Sequence, residues 1–251
     1  MIYATGDTHG DWMHRLNMAS FPEQKDMKKD DYVVILGDFG LWDDSRRERH
    51  ALDWLESRNF TTLFVDGNHE NYDMLDAMPV QEWHGGRVHA LRPSVLHLMR
   101  GQVFTIQDRR FFAFGGARSH DISDGILDAS APDYRKRRRL LDARNALYRI
   151  DHISWWAREM PSEAEMEEGR KNLAACGNKV DYIITHSPCT GLIAELEGGE
   201  GHLVPDALTD YLEQVRETVS YGHWLFGHMH VNMPYPVYAS SCLYEQIVRI
   251  A

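Results

Sequence analysis

The chain has 251 residues, 43% of them hydrophobic and 26% charged, with a formal net charge of -11. This is ordinary globular composition on a chain long enough to bury a full core. It contains no run near the ~18 apolar residues that span a bilayer, its start (MIYATGDTHG) lacks the pattern of a secretory signal, and its charge argues against general affinity for a nucleic-acid backbone. A nucleotide substrate stays open, because bound cations can reverse the sign of a local site. Cys176, Cys189 and Cys242 are widely spaced and form no Cys-x-x-Cys pair. They read as small buried thiols, kept reduced in a cytoplasmic protein.

In chain order, Ile2 to Thr5 and Tyr32 to Leu36 are short apolar runs rich in Val, Ile and Tyr, and they predict buried strands. Asp44 to Arg58 predicts a helix, with Ala51, Leu52, Trp54 and Leu55 on one side. Further strands are predicted at Thr62 to Val65 and Phe111 to Phe114. Ser119 to Asn178 then departs from the pattern. It is polar, mostly helical in period, and carries the basic run Arg135, Lys136, Arg137, Arg138 and Arg139, with Trp155 and Trp156 behind it. We read it as an excursion, at about 119–178, from a single domain of residues 1–251. A strand at Tyr182 to Thr185, a helix at Asp206 to Val219 started by Pro205, and a strand at Trp224 to Phe226 follow. Pro236 to Ile250 looks like further strands closing the sheet. Alternating strands and helices predict a layered α/β fold whose sheet is covered on both faces.

Nearly every predicted strand runs into a residue able to bind a metal or a phosphate. These are Gly6-Asp7-Thr8-His9-Gly10, Gly37-Asp38, Gly67-Asn68-His69-Glu70, His186-Ser187-Pro188 and Gly227-His228-Met229-His230. Strand ends on one edge of an α/β sheet form a crevice where ligands bind, and a glycine beside each ligand permits a sharp turn and close approach. Imidazole together with carboxylate suits Mn, Fe, Zn or Ni better than Ca or Mg. Two metals ~3.5–4 Å apart can clamp an in-line phosphoryl displacement. Each block alone is weak, since Asn68 could serve only turn chemistry; five in order, each after an apolar strand, are not.

The five blocks resemble the signature of the calcineurin-like metallophosphoesterases, over Gly6 to His230. The resemblance implies a four-layer α/β/β/α sandwich, a dinuclear centre and hydrolysis of a phosphomonoester or phosphodiester by a metal-bridging hydroxide. It further implies that Asp7, His9 and His230 hold one divalent metal ion, Mn foremost, that Asn68, His186 and His228 hold the other, and that Asp38 bridges. His69 lies outside the metal shell on this view, protonating the leaving alkoxide or stabilising transition-state charge, and Asn68 also touches phosphate.

Two departures bear on the branch of the family. Glu70 follows His69, as in the phosphoprotein phosphatases, yet Asp38 is followed by Phe39-Gly40-Leu41-Trp42 and lacks that branch's acidic partner for the catalytic histidine. Asp43 or Asp44 is a candidate substitute. Arg118, beside His120 and Asp121, is a candidate to fork onto a phosphate, with a plain surface arginine as the competing reading. The basic run is read first as a solvated helix face, or as ion pairs with the acidic segment Glu163 to Glu168, and second as an attractor of anionic substrate. The substrate expected is a phosphorylated small molecule or nucleotide. The alternatives are a phosphoprotein phosphatase, a nucleotide hydrolase, or a metal-binding scaffold without catalysis. The chain lacks a His-x-His-x-Asp-His run, so the metallo-β-lactamase reading fails, and the lack of a Gly-x-Ser-x-Gly elbow and a P-loop disfavours a serine hydrolase or a kinase.

Overall fold

A computed structural model of the protein describes residues 1–41, 43–196 and 204–251; Trp42, the last residue of the stretch noted after Asp38, lies outside them. The strands are β1 (Ile2–Thr5), β2 (Tyr32–Leu36), β3 (Thr61–Val65), β4 (Val80–Trp83), β5 (Gly86–Arg92), β6 (Val95–Leu98), β7 (Gln102–Ile106) and β8 (Arg109–Phe114). There follow β9 (Ile126–Leu127), β10 (Arg149–Ile150), β11 (Lys179–Thr185), β12 (Ser220–Phe226), β13 (Met233–Tyr235), β14 (Ser240–Cys242) and β15 (Val248–Arg249). The helices are α1 (Trp12–Arg15), α2 (Arg46–Glu56), α3 (Tyr72–Asp76), α4 (Tyr134–Asp142), α5 (Glu163–Ala175), α6 (Thr190–Leu196) and α7 (Ala207–Thr218).

Two sheets result. One is seven-stranded, in the order β15-β1-β2-β3-β6-β5-β4, and the other six-stranded, β13-β14-β12-β11-β8-β7. Strands β1, β2, β3 and β6 are parallel, as are β8, β11, β12 and β14. The period-two alternation of side chains sorts the apolar residues into three layers of core. Ile2, Val34, Leu63 and Val65 meet Phe104, Phe111, Ile184 and Leu225 between the sheets. On the outer face of the first sheet, Val33, Ile35 and Phe64 pack on Trp12, Leu52, Leu55 and Leu75 of α1 to α3. On the outer face of the second, Phe112, Ile183 and Phe226 pack on Leu173 of α5, Leu192 of α6 and Leu212 of α7. Helix, sheet, sheet, helix is the four-layer sandwich that the resemblance implies.

The α2 and α7 spans agree with expectation, each trimmed where a side chain caps the first turn. Ser45 accepts from the Glu48 amide, and Asp206 accepts from the amides of Leu208 and Thr209. Strands β4 to β7 are not predicted, because they lack continuous apolar runs. β4 is a largely exposed edge, and β5 alternates between buried and half-buried positions. The tail pairs with both sheets, β14 beside β12 and β15 antiparallel to β1.

Within 119–178, β9 and β10 form a small parallel pair and α4 lies between them in sequence. The basic run falls on α4 and is exposed throughout. The expected pairing with the acidic segment is not what forms. Arg138 lies 3.8 Å from Asp142 on its own helix, whereas Glu163, Glu165, Glu167 and Glu168 pair with Arg170, Arg158 and Arg87. The exposed charges of α4 form a solvated face. Trp156 is buried and donates its indole N–H to Asp73 at 2.8 Å, a packing role.

Candidate metal centre

Because β1, β2 and β3 run parallel and in step, as do β11 and β12, the turns that follow them open on a shared edge. There the turn after β1 is stitched to the turn after β2: the amides of Thr8 and His9 donate to the Asp38 carbonyl at 3.1 and 2.7 Å, and that of Gly10 donates to Phe39 at 2.9 Å. Glu70 fastens the third turn. Its buried carboxylate accepts from the amides of Phe39, Gly40, Leu41 and Gly67 at 2.7, 3.0, 3.1 and 3.4 Å. Burial and the charge of Asp38 push the Glu70 carboxyl up to about 8, against the pull of these amides. This residue is therefore a clamp between two site turns, a role its place in the sequence did not reveal.

The turns deliver a convergent donor set. Among the described residues, Asp7, His9, Asp38 and His230 each present a ligand atom, all within 4.8 Å of one another. His9 Nε2 is 3.3 Å from His230 Nε2, and His230 Nε2 is 3.1 Å from Asp7 Oδ2. Beside this cluster, His186 Nε2 lies 3.3 Å from Asn68 Oδ1 and 3.4 Å from Asp38 Oδ1. Asp38 thus faces both groups. His186 Nδ1 donates to the Leu36 carbonyl at 2.7 Å, which turns Nε2 toward the cluster. The His228 ring stands 4.9 Å from that of His186, centroid to centroid, and its backbone N–H donates to Asp7 Oδ1 at 3.1 Å.

Backbone geometry carries the same signature. His9, Asp38, His228 and His230 have φ of +46°, +44°, +66° and +51°, the left-handed region that side chains other than glycine seldom adopt. Two glycines stand where there is no room for a Cβ: at Gly227 it would lie 2.3 Å from Asp7 Oδ1, and at Gly67 2.1 Å from Asp38 Oδ1. Both carboxylates are seated against bare backbone.

Buried carboxylate and imidazole shift one another here, and the contact with Asp7 raises His230. Burial alone raises the Asp38 carboxyl, but His186, His69 and His9 outweigh it and hold it well below the usual range. Burial lowers His186, yet Asp38 and Asp7 carry it up to about 10. Burial pushes His9 down and His228 well down, which favours the neutral imidazole whose lone pair binds metal. Paired carboxylates among imidazole nitrogens suit a divalent metal. A cavity of about 720 Å³ opens beside Asp7 and His9 and runs past Phe21 to Tyr244, whose ring stacks on His230 with centroids 4.6 Å apart.

The sequence profile of the calcineurin-like phosphoesterases matches residues 1–232. The chain belongs to that family. It is accordingly a metal-dependent phosphoester hydrolase. Among solved structures, it is similar to phosphopantetheinyl hydrolase from Mycobacterium tuberculosis, with 17% identity over 97% of this chain and 87% of that one at a TM-score of 0.40. It is also similar to a putative 5'-nucleotidase from Staphylococcus aureus, with 13% identity over 97% of this chain and 48% of that one at a TM-score of 0.47. No curated protein matches the chain.

Seen as a calcineurin-like phosphoesterase, the chain departs from expectation around His69. Asp43 and Asp44 do not serve that histidine: Asp43 accepts from the Ser45 amide and Asp44 pairs with Arg49. The His69 backbone N–H donates to Asp38 Oδ1 at 2.9 Å, and its ring Nε2 meets Arg149 Nη2 at 2.7 Å. Burial, and then Arg149, bring the His69 imidazole down to about 4, although Asp38 pulls the other way. Arg118 is exposed and forms no ion pair among the described residues; its neighbours Ser119 and His120 reach Asn68 and His228 instead. Sequence reasoning missed Arg149, Ser119 and Glu159, which carry no motif and meet the site only through the β9–β10 pair and the turn after β8.

Proposed function

We propose that this phosphoesterase cleaves a phosphomonoester or phosphodiester of a small molecule or nucleotide at a dinuclear centre. The observation that carries the reading is the convergence of Asp7, His9, Asp38 and His230 within 4.8 Å, with Asn68, His186 and His228 beside Asp38. On this reading Asp7, His9 and His230 hold one ion, Asn68, His186 and His228 the other, and Asp38 is shared. Two divalent ions, Mn foremost and Fe, Zn or Ni next, supply Lewis-acid stabilisation of phosphoryl charge and a lowered water pKa when bound.

The chain's own groups do the rest. Asn68 and Arg118 are the candidates to bind phosphate oxygens. Arg149 Nη2 lies 2.7 Å from His69 Nε2, placed to donate to it and polarise the ring. A neutral imidazole so polarised stabilises charge on the leaving oxygen by hydrogen bonding, the second of the two roles expected for it. The cavity beside Asp7 and His9 would take the leaving group.

We read residues 1–251 as one domain, supported by the packing of Met166 and Leu173 of α5 into the outer core of the second sheet. The three cysteines are free, which supports a reducing, cytoplasmic setting. Among the described residues no helix is long and apolar enough to cross a membrane.

The test is turnover of p-nitrophenyl phosphate, its bis ester, nucleotides and a phosphopeptide by Mn-loaded protein, together with the metal stoichiometry. Turnover of at least one ester with two ions per chain supports the reading. No turnover despite two bound ions returns the inactive scaffold, and preference for the phosphopeptide returns a protein phosphatase.

A further inference from the structure

The segment after β8 touches three of the candidate site residues. Asn68 Nδ2 donates to Ser119 Oγ at 3.4 Å, His120 Nε2 and His228 Nε2 share a hydrogen bond at 2.8 Å, and Arg149 Nη2 donates to His69 Nε2 at 2.7 Å. The contacts are themselves braced. Glu159 accepts from the Ser119 amide and hydroxyl at 2.9 and 2.6 Å. Arg149 Nε pairs with Asp121 Oδ1 at 2.7 Å, while Nη1 donates to the carbonyls of Ser154 and Asn68 at 3.2 and 3.4 Å. The Arg149 backbone is fixed in register opposite Ile126.

Arg149 is the most constrained of these residues. Its side chain is 7% exposed, and burying a guanidinium is costly unless its donors are used. Here Nη1 donates to the peptides of Ser154 and Asn68 and Nη2 to the His69 ring, while the charge of Asp121 lies 2.7 Å from Nε. A guanidinium is always protonated and can only donate, so the His69 nitrogen it meets has to accept.

We propose that Arg149 is the positioning residue of His69. It fixes the ring orientation and keeps its proton on Nδ1, which makes the 119–159 segment part of the catalytic apparatus. The proposal rests on the catalytic reading of His69 above for its kinetic consequence, but not for its tautomeric one.

Two variants test it. Arg149→Met removes the donor; Arg149→Lys keeps a buried cation for Asp121 but lacks the planar fork that serves both sides. Nitrogen-15 spectra of the histidines in the metal-free and the diamagnetic zinc-loaded protein, with the His69 signals assigned from His69→Gln, read the tautomer. We expect Nδ1–H in the wild type and a shift toward Nε2–H in both variants. In kinetics, the loss in kcat should be about tenfold larger for phenyl than for p-nitrophenyl phosphate, or for the matching bis esters, because the poorer leaving group needs more help. Metal stoichiometry should stay unchanged, and Arg138→Ala, on the solvated face of α4, should behave as wild type.

An unchanged tautomer in Arg149→Lys, or equal losses for both leaving groups, overturns the proposal in favour of a purely structural ion pair. If Arg149→Met does not fold, Arg149→Lys decides alone. If the wild type cleaves no phosphoester, the functional reading falls and the tautomer still decides this one.

Discussion

Replacing Arg100 by Met tests the polar network behind the site. Arg100 and Asp66 have side chains 3% and 1% exposed. Arg100 Nε donates to Asp66 Oδ2 at 2.9 Å, and Nη2 donates to the Tyr72 hydroxyl and to the carbonyls of Arg158 and Glu159 at 2.9, 2.8 and 3.2 Å. Asp66 also faces His97 Nε2 at 3.0 Å and accepts from the Tyr72 hydroxyl at 2.8 Å. Methionine fills most of the volume but leaves a buried carboxylate without its cation and two carbonyls without a donor. Breaking a buried pair from one side costs about 3–5 kcal/mol, and at about 2–4 °C per kcal/mol for a chain of this size Tm should fall by about 6–20 °C. The loss should depend on pH with a definite sign. In the wild type burial alone raises the Asp66 carboxyl, but Arg100 and His97 hold it well below the carboxylate range. Its contribution is then full above the unfolded value of about 3.9 and fades as pH falls toward the folded one. In Arg100→Met the carboxyl can escape its isolation by taking up a proton, so the gap between the proteins should narrow from pH 7 to pH 4. Urea unfolding at both pH values measures this. A gap under about 1 kcal/mol at pH 7, or one of constant size down to pH 4, refutes the reasoning.

Asp38→Asn should lower turnover ~100-fold or more and reduce the metal bound per chain, read by metal analysis after desalting. His69→Ala should lower turnover by a similar factor while keeping its metal; loss of metal in equal measure would move His69 into the coordination shell. Gly227→Ala pushes a methyl to within 2.3 Å of Asp7 Oδ1 and 2.6 Å of the Leu36 carbonyl. By displacing the carboxylate it should weaken metal binding about 10–100-fold in a calorimetric titration, whereas affinity like that of the wild type would show that the turn yields freely.

The layered fold and the donor set were legible in the sequence for one physical reason. Strands such as Tyr32–Leu36 are apolar on both faces, which only a doubly covered sheet allows, and most are followed within a few residues by a side chain able to bind metal, usually beside a glycine. Residues working through distant partners were not legible. Arg149 sits in an ordinary stretch, and its meaning arises only when β10 pairs with β9 and lays it against His69. Glu70 was visible as part of a motif, but its role depends on four amides, three of them in the turn after β2. Strands β4, β5 and β7 went unseen because they are only partly buried and their residues are mixed, and β6, though buried throughout, because His97 interrupts a short apolar run; pairing with neighbours, more than composition, makes them strands.

The strained turns lead to a prediction about metal and stability. A side chain held in the left-handed region costs on the order of 1–3 kcal/mol, and the site contains four such residues, His9, Asp38, His228 and His230. It also packs carboxylates against one another and lays imidazole nitrogens at 3.3 Å in the pair His9 and His230. The Glu70 clamp and the stitched turns hold these groups together, so the fold bears the cost of bringing them to one place. A cation that binds this arrangement, and not the unfolded chain, returns part of that cost as linkage: about 2.7 kcal/mol at a hundredfold excess over Kd. With about 2–4 °C per kcal/mol, Mn should raise Tm by about 5–11 °C over the chelated protein. Asp38→Asn should show little of that rise, because it removes the donor both groups share. Calorimetric scans with and without Mn, for both proteins, measure the difference. Equal rises in wild type and Asp38→Asn would mean that the cation binds elsewhere, and no rise in the wild type would mean that the strained turns do not form a cation site.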